Sequence, residues 1–130
     1  MVLSEARKRR ANPGVMGWLR AKDADTLFVS AVTIGEIERG IARQRTLDPG
    51  FAEALASWLE RLIEDYEDRI LPVDARVARR WGQLAARVGH HGADLLIAAT
   101  ALEHGLIVVT RNVRHFAPTG VPAEDPFSAD

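Results

Sequence analysis

An α/β sandwich, a parallel sheet flanked by helices, is the fold this sequence predicts. Three features carry the prediction. Short apolar runs at residues 26–30, 69–73 and 106–109 alternate with longer stretches of helical periodicity. Those runs are largely apolar rather than alternating, as strands covered on both faces are. The length, 130 residues with 47% hydrophobic composition, suits a single domain (1–130) with a core that needs no disulfide or metal staple.

Each element has a local reason. Residues 1–10 are compatible with a short helix ending in the run Arg7-Lys8-Arg9-Arg10, a run read first as a solvated face. Asn12-Pro13-Gly14 breaks it, and Pro13 suits the first turn of a second helix striped by Val15, Met16, Trp18 and Leu19. Residues 26–30 form a strand. Ile34, Ile37 and Ile41 then predict a helix over residues 32–45. Leu47-Asp48-Pro49-Gly50 reads as a turn before a long amphipathic helix at residues 51–67, with Leu55, Trp58, Leu59, Leu62 and Tyr66 inward. Residues 69–73 form a strand that Pro72 places at an edge or an end. Asp74 is a good N-cap for a helix over residues 75–88, whose inner side carries Val77, Trp81, Leu84 and Val88. Residues 89–92 are a loop. Residues 93–104 form a helix apolar almost all round, hence buried, and Gly105 stops it. After the core strand at 106–109, a loop through Phe116 and Pro118 leads to a weak terminal strand near Val121. The three tryptophans all fall on helical apolar stripes and are assigned to the core.

Composition narrows the function classes. The absence of cysteine removes disulfide scaffolds, thiolate metal sites and cysteine nucleophiles together. The longest apolar runs fall far short of the roughly 18 residues a membrane span requires. With no leader-like opening, a cytoplasmic protein is expected. The net charge of −1 conceals a pattern: residues 1–45 sum to +4, residues 46–68 to −6 and residues 69–130 to +1. Fifteen of the 17 basic residues are Arg, which suits a phosphate ligand; with 20 Ala and 10 Gly, GC-rich codon usage explains the bias as well.

In a parallel α/β fold, ligands sit where strands pass into helices at the carboxyl edge of the sheet. Two carboxylates fall there. Glu36 points away from the Ile34/Ile37/Ile41 stripe. Thr33-Ile34-Gly35-Glu36 also fits a capping box, in which Glu36 bonds back to the amide of Thr33, so capping and cation binding both remain open. Asp94 opens the apolar helix as an N-cap or first-turn acid, or as a carboxylate that needs a cationic partner at a buried helix mouth. The histidines do not make a zinc site: His90 and His91 are adjacent, and no paired spacing exists.

Taken in order, Val2-Leu3-Ser4-Glu5, the run Ser30 to Gly40 (SAVTIGEIERG), Ile70-Leu71-Pro72-Val73-Asp74, the run Ala93 to Ala101 (ADLLIAATA) and the run Val109 to Phe116 (VTRNVRHF) follow one family pattern. Over nearly the whole chain the sequence resembles the PIN-domain ribonucleases, in particular VapC-type toxins of bacterial toxin–antitoxin pairs and their FitB-like branch. The resemblance implies a three-layer α/β/α PIN-like domain and an endoribonuclease dependent on Mg²⁺ or Mn²⁺. It further implies inhibition by a cognate VapB-type antitoxin, a homodimer and an RNA substrate. By the same resemblance, Glu36 and Asp94 are metal ligands, and Asn112, beside Thr110 in the T-x-N element, supports catalysis. Two departures stand out. The family's first strand, which ends in Asp-Thr-Asn, has no counterpart before Val2, and position 115 is His where many relatives carry Asp. A start assigned too late is the expected explanation of the first departure. A catalytically degenerate PIN-fold module that keeps antitoxin or nucleic-acid contacts is the alternative expectation.

Overall fold

The computed structural model describes residues 2–3, 27–90 and 92–125. In chain order the described elements are β1 (Val2–Leu3), β2 (Val29–Ser30), α1 (Ala31–Leu47), α2 (Pro49–Asp65), a 3₁₀ turn (Glu67–Arg69), β3 (Ile70–Leu71), α3 (Ala75–Val88), α4 (Ala93–His104), β4 (Val108–Val109), α5 (Val113–Phe116), a second 3₁₀ turn (Ala117–Thr119) and β5 (Ala123–Glu124). All ladders are parallel: β1 pairs with β4, β4 with β5, and β2 with β3. The strands form a three-stranded ladder β1–β4–β5 and a two-stranded ladder β2–β3, and β1 lies beside β2, so the spatial order across both is β3–β2–β1–β4–β5. This is the predicted α/β arrangement of a parallel sheet with flanking helices.

The helix ends show why these residues stop and start where they do. Ser30 ends β2 in extended backbone and accepts a hydrogen bond from the Val32 amide at 3.1 Å, so it is the N-cap of α1. The Asp48 side chain accepts from the Phe51 amide at 3.2 Å, and Pro49 at the first turn loses nothing by lacking an N–H. α2 therefore starts two residues earlier than the periodicity indicates and absorbs half of the expected turn. The Asp74 cap of α3 appears as expected, with its carboxylate accepting from the Val77 amide at 2.9 Å. Gly89 and Gly105 close α3 and α4 with φ of 95° and 66°, values that other residues rarely adopt.

Among the described residues, two apolar clusters form the core. Val29, Ile37, Ile41, Leu55, Leu59 and Leu62 join β2 to the α1–α2 hairpin. Val77, Leu84, Ile97, Ala98, Val108 and Phe116 join α3 and α4 to β4 and α5. Arg80 ties α3 to α4 through Glu103 at 2.8 Å, a partly exposed pair that contributes under about 1 kcal/mol. The acidic excess of residues 46–68 lies on the solvent side of α2, where Glu53, Glu60, Glu64 and Asp65 are exposed. No helix among the described residues is long and apolar enough to cross a membrane.

Several expectations need correction. Val2–Leu3 are strand residues, not helical, and the rest of that segment, with Arg7–Arg10 and Trp18, lies outside the described residues. The span after β4 is not a plain loop: α5 and its 3₁₀ continuation bury Phe116 and Thr119, which anchors the segment. The terminal strand sits two residues beyond Val121, which is itself buried in the core. Trp58 and Trp81 pack against the clusters but are only partly buried.

Candidate active site

A cavity of about 290 Å³ opens where the first turns of α1 meet the loop before α4. Thr33, Glu36 and Arg39 line it from α1, while His90, Gly92, Ala93, Asp94 and Ile97 line it from the loop and α4. The two carboxylates read from the sequence thus share one wall-to-wall space, although they come from opposite halves of the chain.

Glu36 gets there because the start of α1 is settled without it. Ser30 is the cap, so Thr33 lies one turn inside the helix, and the capping box that Thr33 and Glu36 could form is not built at that end. The side chain of Glu36 is 21% exposed and accepts a hydrogen bond from Arg39, one turn on, at 3.1 Å. The Arg39 side chain is 77% exposed, so a fixed carboxylate is held by a guanidinium that reaches in from solvent.

Asp94 lies in the first turn of α4, after Gly92, an N-cap that offers no side-chain hydrogen bond. The apolar run behind it packs on all sides: Leu95, Ile97, Ala98, Ala99, Thr100 and Ala101 are buried. That burial fixes the helix and leaves its mouth, with the positive end of the macrodipole, facing the cavity beside Asp94. From α5, His115 brings its Nδ1 to 3.4 Å from Asp94 Oδ2, without itself lining the cavity. This contact had no local signal in the sequence.

Asn112 occupies a different place. It is the N-cap residue of α5, is exposed, and donates its backbone amide to Thr110 Oγ1 at 3.0 Å. It does not line the cavity with Glu36 and Asp94. His90 does, and its Nδ1 accepts from the Gly92 amide at 3.4 Å; treating the His pair only as a failed zinc motif missed this position. His91 lies outside the described residues. Arg39 was also missed, yet its spacing of three from Glu36 on a helix is the readable signature of an ion pair.

The donor set can be tested against a metal on chemical grounds. Among the described residues, no group of three or more His, Asp or Glu side chains converges as a metal cage. Two carboxylates in a polar, partly open cavity remain. That set fits a hard cation such as Mg²⁺, which keeps much of its water and takes one or two protein carboxylates together with substrate phosphate oxygens.

Comparison with known proteins places this geometry in context. The PIN domain family matches the chain over residues 2–120. The chain is 30% identical to "VapC ribonuclease Y4jK" of Sinorhizobium fredii (strain NBRC 101917 / NGR234), over 97% of this chain and 93% of that protein. It is 32% identical to "Toxin FitB" of Neisseria gonorrhoeae (strain ATCC 700825 / FA 1090), over 97% of this chain and 94% of that protein. Among solved structures, the crystal structure of FitAcB from Neisseria gonorrhoeae superposes with a TM-score of 0.81 at 31% identity, covering 98% of this chain and 99% of that one.

Proposed function

Because the chain belongs to the PIN-domain family, we propose that it is a toxin-type endoribonuclease of the VapC/FitB kind, with the cavity between α1 and α4 as its active site. The observation that carries this is the meeting of Glu36 and Asp94 in one polar cavity, at the end of the sheet where α/β folds hold their ligands. Both curated relatives named above span nearly the same length as this chain.

The chain's own residues divide the work. Glu36 and Asp94 would hold Mg²⁺ or Mn²⁺, which when bound lowers the pKa of a water molecule and offsets negative charge on a phosphodiester. Asp94 keeps its place through the packed base of α4, with the His115 ring beside it. Asn112 lies outside the cavity at the start of α5, so any part its uncharged amide takes would be in hydrogen-bonding RNA beyond the two carboxylates, not in holding the metal. RNA as substrate is supported by the exposed Arg76 and Arg79 on α3, a helix that carries no acid and leads directly into the loop that lines the cavity; its Arg80 and Arg87 are engaged within the fold, by Glu103 and the Thr119 carbonyl. A VapB-type antitoxin that covers the cleft, a homodimer and a cytoplasmic site of action complete the proposal.

The competing possibility is a binding module of the same fold that does not cut RNA. One observation favours it: each cavity carboxylate already has a basic neighbour, Arg39 for Glu36 and His115 for Asp94. Cleavage of a labelled RNA by the purified chain in Mg²⁺ or Mn²⁺ separates the two. The expected result is metal-dependent turnover that falls by roughly 10²–10³-fold or more in Asp94→Asn, the scale on which loss of a single electrostatic stabiliser is felt. Undiminished cleavage by that variant removes Asp94 from the mechanism, and no cleavage by the parent chain leaves the binding module standing.

A further inference from the structure

We propose that Arg39 is a charge placeholder for the cation at Glu36 and, once that cation is bound, a ligand for an RNA phosphate. This rests on the cavity being a metal-dependent RNA-cleaving site. Among the described residues, Arg39 is the one arginine or lysine that lines the cavity. Its guanidinium donates to Glu36 Oε2 at 3.1 Å, so one face of the carboxylate is neutralised by protein. The partners differ in freedom. Glu36 is largely enclosed at 21% exposure, whereas Arg39 at 77% is surrounded by solvent on most of its length.

When two cations compete for one carboxylate, the mobile one yields. A divalent ion at Glu36 repels the guanidinium and takes its acceptor, and the long, exposed side chain can swing without disturbing α1. The displaced guanidinium stays at the cavity rim, where a phosphate must enter to reach the carboxylates. Its planar fork matches two phosphate oxygens at once, a geometry that an ammonium does not reproduce. Arg39 therefore opposes metal binding before substrate arrives and favours substrate after the metal is in place.

These two roles give one substitution opposite effects on two ligands. Binding of Mn²⁺ is followed by loss of its free six-line electron paramagnetic resonance signal on titration into the full chain, and RNA affinity by KM in saturating Mn²⁺. In Arg39→Gln, Mn²⁺ affinity is expected to rise severalfold, while KM for RNA rises roughly tenfold with little change in kcat, the pattern of a lost binding contact. Arg39→Lys keeps the charge and loses the fork, so Mn²⁺ affinity should stay near that of the parent while KM still rises. A purely structural role for Arg39 predicts the reverse for the metal, since disturbing Glu36 would weaken it. Unchanged or weaker Mn²⁺ binding in Arg39→Gln overturns the placeholder role, and an unchanged KM overturns the phosphate role. If Asp94→Asn leaves Mn²⁺ affinity intact, the metal is not held in this cavity, and the underlying site assignment fails instead.

Discussion

The two helices that frame the cavity begin in different ways. α1 starts with a buried serine whose side chain satisfies the Val32 amide, and its functional acid, Glu36, comes almost two turns later. α4 starts at Gly92 with no side-chain cap, and its acid, Asp94, sits within the first turn. At α1, capping and chemistry are assigned to separate residues. At α4 the end of the helix and the chemistry meet in one residue: Asp94 makes no cap hydrogen bond, but it stands both at the positive end of a buried helix and on the cavity wall. The difference teaches where stability and activity can be separated by mutation: cleanly on the α1 side, and with difficulty on the α4 side.

The largest stability effect expected from this contrast is at Ser30. It is fully buried, so Ser30→Ala leaves the Val32 amide without its acceptor in a place water cannot easily reach. The expected cost is about 1 kcal/mol, read as a fall in the urea midpoint with an unchanged slope. A midpoint equal to that of the parent would mean that α1 is held by packing alone and that its cap is incidental. A smaller change of opposite sign is expected at Gly92. Its backbone is extended, with φ of −70° and ψ of 171°, and among the described residues an added Cβ would meet the His90 ring, Nδ1 at 3.6 Å and Cε1 at 3.9 Å, both ordinary contact distances. Gly92→Ser supplies the missing cap and stiffens the unfolded chain, so a gain of about 0.5–1 kcal/mol is expected. A loss of stability there would show that the end of α4 is already satisfied by other means.

Much of this contrast was legible in the sequence, and the parts that were not share a cause. α3 and α4 were readable to the residue because Asp74, Gly89 and Gly105 are strong local signals for helix ends, and the structure uses all three. The segment after β4 was not, since a four-residue helix is too short to show a period and Pro118 reads as a breaker when it opens a 3₁₀ turn. At the site, Glu36 and Asp94 were found from their positions beside strand ends. The ambiguity at Glu36 arose because Thr33-x-x-Glu36 has the right chemistry for a cap, and only the competing cap at Ser30 decides which residue begins the helix. The Asp94–His115 contact joins elements brought together by the β4 crossover, so nothing within a local window could report it.

The smallest expected effect is the most discriminating for the division of labour at α1. If Glu36 has no duty in folding, Glu36→Gln should leave the denaturation midpoint nearly unchanged, with any loss below about 1 kcal/mol. Its pair with Arg39 has a partner that is mostly in water, where ion pairs of this kind contribute little. Glutamine keeps the shape and can still accept from Arg39, while it loses the charge that attracts a cation. The same variant should lose metal-dependent cleavage, so its two readouts separate completely. A midpoint that fell as far as in Ser30→Ala would return Glu36 to the role of a structural helix residue. It would also erase the difference between the two helix starts, because each acid would then be bound up with the stability of its own helix.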